Sequence, residues 1–188
     1  VNDPIFGALL PDGKFRVSFL IQFALWSLYL TLMVPLLLFI EYCSGMHMPM
    51  VWGCSGVLLG AVLLQAALSE TVLLFEKGMV LHYPRWILPI FRRGWTVEWQ
   101  KIQTLTARST GQGGLVYYLV TPTAAYLLPT RIAGFKRMVQ IIERKTNLDV
   151  ACVKPLAQPW MYGMVLLVSL GMGLFDVWFF WMTRALQG

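Results

Sequence analysis

Twenty-four consecutive residues without a charge, Val17 to Ile40, place the first limit on what this chain can become. At ~1.5 Å per residue a helix of that length crosses a hydrocarbon layer ~30 Å thick. Its polar residues, Ser18, Gln22, Ser27 and Thr31, are all neutral, and Pro35 is placed to kink it. A second apolar run, Met50 to Leu68, follows the short Glu41–Pro49 connection, and a third extends from Trp160 to Met182. Trp160 and Tyr162 stand at one end of the third run and Trp178 and Trp181 at the other, as in an interfacial aromatic belt. The chain is 57% hydrophobic and 13% charged, about half the charged fraction of an ordinary soluble domain, which agrees with three membrane spans.

Glycines mark these runs as packing surfaces. Gly56 and Gly60 are spaced GxxxG, and the third run carries Gly163, Gly171 and Gly173; such spacing permits close helix approach, within the chain or against another protein. Gly56, Gly60, Gly171 and Asp176 are therefore the candidate helix-packing residues. Asp176 is the one charge inside any of the three runs. It reads either as an acid snorkelling toward water beside Arg184 or as a functional intramembrane group.

Basic residues set the expected orientation. The Glu41–Pro49 loop has no Lys or Arg, whereas Glu70–Gln158 holds twelve of the chain's fifteen against five acids, a net +7. The positive-inside rule then puts the N-terminus and the central segment in the cytoplasm or its equivalent. No basic n-region followed by a small-residue cleavage site is present, so no signal peptide is expected.

The central segment reads as short strands and then one helix. Thr71–Phe75 and Met79–Tyr83 flank the Gly-containing turn Glu76-Lys77-Gly78. Trp95, Val97 and Trp99 alternate with polar residues as in a half-buried strand, Ile102–Arg108 continues as another, and Leu115–Val120 and Ala124–Leu128 bracket Thr121-Pro122-Thr123. Ser109–Gly114 reads as a polar, Gly-rich loop. Phe135, Met138, Val139 and Ile142 then fall at i, i+3, i+4 and i+7, the stripe of an amphipathic helix that Asn147 would stop. Such a helix can close the open end of a curled sheet by burying that stripe.

The expected class is thus an α+β membrane protein: three transmembrane helices, with a small antiparallel β domain and its C-terminal helix inserted between helices 2 and 3. The divisions are 1–69, an N-terminal tail and helical hairpin; 70–149, the β domain; and 150–188, a linker and the third span.

Strands followed by one capping helix, with Phe75–Tyr83, Trp95–Leu105 and Tyr126–Lys145 in matching places, resemble the pleckstrin-homology-like (PH-like) domains of bacterial membrane proteins. A helical hairpin leading into Phe-Glu-Lys-Gly-Met-Val and the basic Phe91-Arg92-Arg93 turn is also similar in layout to small thylakoid proteins that help assemble photosystems. This chain departs from that layout by carrying a third helix after the domain. The resemblance implies a non-enzymatic assembly or accessory factor and supplies no catalytic residue.

The residues themselves show no chemical constellation. His47 and His82 are not at ligand spacing to each other or to Cys43, Cys54 or Cys152, so neither a metal site nor a disulfide framework is expected. Gly111-Gln112-Gly113-Gly114 lacks the Lys-Ser/Thr of a phosphate loop. No nucleophile stands beside a base, so the chain is expected to be no enzyme and to need no cofactor. The basic excess remains, with Arg92 and Arg93, then Arg131, Lys136 and Arg137, as candidate contacts. It fits a solvated face near anionic lipid, an acidic surface on a larger membrane protein complex, or a lipid-headgroup site. Nucleic acid is not expected, because no exposed aromatic platform accompanies the charge.

Overall fold

The computed structural model describes residues 6–44, 47–84, 86–87, 94–109, 115–148 and 159–187. In chain order these form strand β1 (Leu9–Arg16), helices α1 (Phe19–Ser44) and α2 (His47–Ala67), strands β2 (Thr71–Phe75), β3 (Gly78–His82), β4 (Trp95–Glu98), β5 (Thr104–Ser109), β6 (Leu115–Val120) and β7 (Ala125–Leu128), and helices α3 (Phe135–Thr146) and α4 (Pro159–Gln187). The protein is α+β, with four α-helices and two antiparallel sheets among the described residues. They fall into two compact units: Val1–Ser18 with Ser69–Gln158, and Phe19–Leu68 with Pro159–Gly188.

In the β unit, one sheet has the order β1-β2-β3-β4 and the other β5-β6-β7. The β2–β3 hairpin pairs Val72 with Leu81 and Leu74 with Met79, about the turn expected from Glu76-Lys77-Gly78. The Thr121 hydroxyl accepts from the Ala124 N–H at 3.1 Å and donates to its carbonyl at 2.8 Å, locking the β6–β7 turn. Alternation decides which side chains go inward: Val97 is buried while Thr96 is exposed. Trp99, expected on the same strand, instead opens a 3₁₀ turn (Trp99–Lys101), and its indole N–H donates to the Phe75 carbonyl at 3.0 Å. A buried indole needs such an acceptor, and the turn supplies the angle to reach one.

Helix α3 closes the core as its periodicity requires. Phe135, Met138, Val139 and Ile142 are all buried and join Val72, Leu74, Met79, Leu81, Val97, Tyr117, Leu119 and Leu128 in one cluster drawn from both sheets. Gly134 enters the helix at φ +75°, a left-handed conformation costly for other residues, and Asn147 ends it at φ 55° with its N–H on the Glu143 carbonyl at 2.8 Å.

The first correction concerns residues 9–16, read from the sequence as a tail. They form β1, with Phe15 opposite Val72 and Arg16 opposite Thr71. Phe15 and Val17 are buried between exposed Lys14 and Arg16, and the strand's end is tied to the segment before α3 by Ser18 N–H to the Arg131 carbonyl (3.2 Å) and Ala133 N–H to the Arg16 carbonyl (2.8 Å). Gly13 lets β1 approach β2: an added Cβ would stand 2.3 Å from the Leu74 carbonyl oxygen.

In the helical unit α1 packs against both α2 and α4. The second difference is that, among the described residues, two helices rather than the expected three are long and apolar enough to cross a membrane, over Phe19–Phe39 and Trp160–Ala185. Helix α2 contributes a further apolar stretch over Val51–Ala67. Few side chains in either long span are buried, and Leu58, Leu59, Leu167, Leu174 and Trp181 are among the many exposed apolar residues of this unit. Apolar helices that expose such surface are suited to a membrane rather than to water.

Candidate interaction sites

The expected contacts on the β domain lie partly within the described residues. Arg92 and Arg93, like Arg85, the loop at 110–114 and Cys152, fall outside them. Arg131, Lys136 and Arg137 are all exposed, because the opposite stripe of α3 faces the core. They are not equivalent. Arg137 pairs with Asp12 of β1, a contact bridging 125 positions; no sequence signal pointed to it because β1 itself had been missed. With both partners about 60% exposed, the pair belongs to the surface class, worth about 0–1 kcal/mol.

The Asp12–Arg137 contact crosses an open groove of ≈ 480 Å³ between β1 and α3. Leu10, Pro11 and Ile141 give it an apolar lining, with Arg137, Gln140, Arg144 and Lys145 along the helix side. Three cations against one carboxylate favour an anionic occupant. Arg144 and Lys145 are basic groove residues outside the expected contacts: Arg144 lies on the polar face recognisable by period, whereas Lys145, seven residues after Met138, falls at the flank of the buried stripe.

On the helices, neighbours can now be assigned. Helices α1 and α2 are antiparallel, joined by the Tyr29 hydroxyl on the Val57 carbonyl (2.5 Å) and by the Trp26 N–H on Gln65 (3.3 Å). Gly60 lies under Tyr29, where an added Cβ would meet the hydroxyl oxygen at 2.7 Å. Helices α1 and α4 are parallel: Ser169, fully buried, donates to the Ser27 hydroxyl at 3.0 Å, and a Cβ at Gly173 would meet Thr31 at 3.1 Å. By contrast, a Cβ on Gly56, Gly163 or Gly171 would meet nothing within 4 Å. Of the expected packing glycines, Gly60 thus packs within the chain and Gly56 and Gly171 face away from it, while Gly173 takes the place against α1.

Asp176 is half-buried. The expected companion, Arg184, instead stacks over the Phe180 ring at 4.4 Å. Among the described residues no three His, Cys, Asp or Glu side chains gather as a metal site would need. His82 is exposed at the end of β3.

Compared with known proteins, the chain is 43% identical over 166 residues to the uncharacterized protein slr0269 of Synechocystis sp. (strain ATCC 27184 / PCC 6803 / Kazusa), covering 86% of this chain and 83% of the relative. The chain belongs to the family of that cyanobacterial protein. No family model matches it, and no solved structure matches it.

Proposed function

We propose that this protein is a non-enzymatic integral membrane accessory factor that binds a larger membrane protein complex, its helices packing laterally on the complex and its β domain lying on the cytoplasmic side. The observation that carries this reading is the set of outward-facing glycines, Gly56, Gly163 and Gly171. Glycine in a helix interior costs about 1 kcal/mol relative to alanine, and these three gain no packing inside the chain in return. Close approach of an external helix would supply it. The cyanobacterial relative fits a thylakoid setting and hence photosystem biogenesis as the process served. The four- and three-stranded sheets closed by α3 favour the PH-like reading of the domain.

Strand pairing supports three crossings. Arg16 and Thr71 are register partners in one sheet, so they share one side of any membrane. If α1 crosses, α2 must return the chain, and α4 then leaves the C-terminus on the far side. In sealed vesicles a membrane-impermeant thiol reagent should reach a cysteine placed at Thr123 from the same side as one at Lys14 and from the opposite side to one at Gly188. Labelling of Lys14 and Thr123 from opposite sides would sink this arrangement.

The accessory-factor reading is tested by isolating the full chain from native membranes in mild detergent. Gly171→Leu should remove most of the co-migrating complex, whereas neutralising Arg131, Lys136 and Arg137 together should leave it. The reverse result would move the main contact to the β domain. A second reading, a PH-like module on anionic headgroups, is favoured by the groove with Arg137, Arg144 and Lys145. It requires salt-sensitive binding to anionic vesicles that Arg144→Gln with Lys145→Gln removes.

A further inference from the structure

We infer that Asp176 is a binding site, within the bilayer, for the Arg or Lys side chain of a membrane helix belonging to another protein. The inference rests on the accessory-factor reading and names the chemistry of the partner.

Depth is the first observation. Asp176 lies six residues before Met182, where the apolar run ends, about 9 Å along the helix at ~1.5 Å per residue. An aspartate has one methylene between backbone and carboxylate, too short a stem to bring the charge to water over that distance. Arg184, eight positions on, is held over Phe180. Among the described residues Asp176 has no ion pair.

Register is the second. Ser169, Gly173 and Asp176 lie at i, i+4 and i+7 on the α4 stripe that meets α1. Ser27 and Ser169 are 142 positions apart, and Thr31 and Gly173, also in contact, have the same separation. Carried one turn further, the same separation would set Pro35 level with Val177, beside Asp176. Pro35 has no N–H, so the Thr31 carbonyl lacks its ordinary helical donor. This turn of the helix pair therefore offers a carboxylate and a carbonyl, two acceptors, with no donor of its own.

The surroundings select the occupant. Met172, Phe175, Phe179 and Phe180 are the neighbouring side chains along α4, so an inorganic cation would find one carboxylate and no further side-chain oxygen there. A guanidinium or ammonium brings several donors and its own apolar stem, and arrives laterally on a helix through the half-exposed flank of Asp176. A second copy of this chain cannot provide it, because none of its three apolar runs contains Lys or Arg.

The test uses the full chain reconstituted in phosphatidylcholine liposomes with a synthetic Leu-rich helix of ~22 residues carrying a single Arg at the matching depth. Association is read by energy transfer. The Arg helix should bind about tenfold more tightly than an all-Leu control, the scale of a polar contact between membrane helices. Asp176→Asn should remove that preference, and Asp176→Arg should transfer it to a helix bearing Glu. Equal binding of the Arg and Leu helices to the wild-type chain, or a preference surviving in Asp176→Asn, overturns the inference. Co-isolation from native membranes separates the two levels. A complex retained by the wild-type chain and unchanged by Asp176→Asn leaves the accessory-factor reading intact while this inference fails. Absence of any co-migrating complex removes that reading, and the liposome result still decides the chemistry of Asp176.

Discussion

Val72, Leu74, Met79, Tyr117, Leu119, Met138 and Ile142 have no exposed surface in the β domain, whereas in the helical unit the described residues reaching that state are Ala24 and Ser169. The first set consists of large and branched side chains interdigitating between two sheets and a helix. The second consists of small residues at helix contacts, accompanied by hydroxyl and indole hydrogen bonds. Water drives the first kind of burial, since each apolar surface removed from it lowers the free energy. Between helices in lipid that drive is absent, so close backbone approach and a few polar links must hold the packing. One chain of 188 residues thus carries two different kinds of packing, large interdigitating side chains in one unit and small contact residues in the other.

The comparison breaks most visibly at Val97. Val97→Asp places a carboxylate in the β core without a partner and should cost several kcal/mol, enough to make the domain protease-sensitive. Thr96→Asp, on the exposed face of the same strand, should shift the melting temperature little. Equal sensitivity of the two variants would contradict the inward assignment of Val97.

A smaller effect is expected at the glycines. Gly60→Leu drives a side chain into Tyr29 and should lower the resistance of the α1–α2 pair to denaturing detergent by about 1–3 kcal/mol, as overpacking does. Gly56→Leu, one turn away and facing open space, should leave that resistance unchanged and gain slightly from helix propensity. Similar losses for both would place α2 differently against α1.

The smallest effect belongs to the polar link. Ser169→Ala removes the hydrogen bond to Ser27 and should cost about 0.6 kcal/mol, the average for such links between membrane helices. A loss of several kcal/mol in a detergent-unfolding titration would mean that α1 and α4 depend on this bond far more than on the approach at Gly173.

Much of the β domain was legible in the sequence because its signals are local. The α3 stripe is read from a 3.6-residue period, and the β2–β3 and β6–β7 hairpins from strands flanking turn residues. Trp99 strayed because its indole seeks the Phe75 carbonyl, 24 positions away. Strand β1 was missed because Pro11 and Gly13 disguise its start and its partner β2 lies beyond two helices, although Lys14-Phe15-Arg16-Val17 alternates. The candidate contacts were legible as residue types but not as faces. Nothing in the sequence distinguishes Gly60 from Gly56, or Gly173 from Gly171; only the positions of Tyr29 and Thr31 do so.

Strand β1 also imposes an order on biosynthesis. It leaves the ribosome before both α1 and α2, yet its partner β2 follows them, so at ~5–20 residues per second β1 waits on the order of several seconds for its pairing. During that interval Phe15 and Val17 have no core to enter. On the proposed topology, the sheet can be completed only after the helical hairpin has inserted and brought the chain back to the side where β1 was left. On that topology, a hairpin that fails to insert correctly would leave β1 unpaired and expose those apolar residues to proteases, so completion of the β domain would double as a proofreading step for membrane insertion.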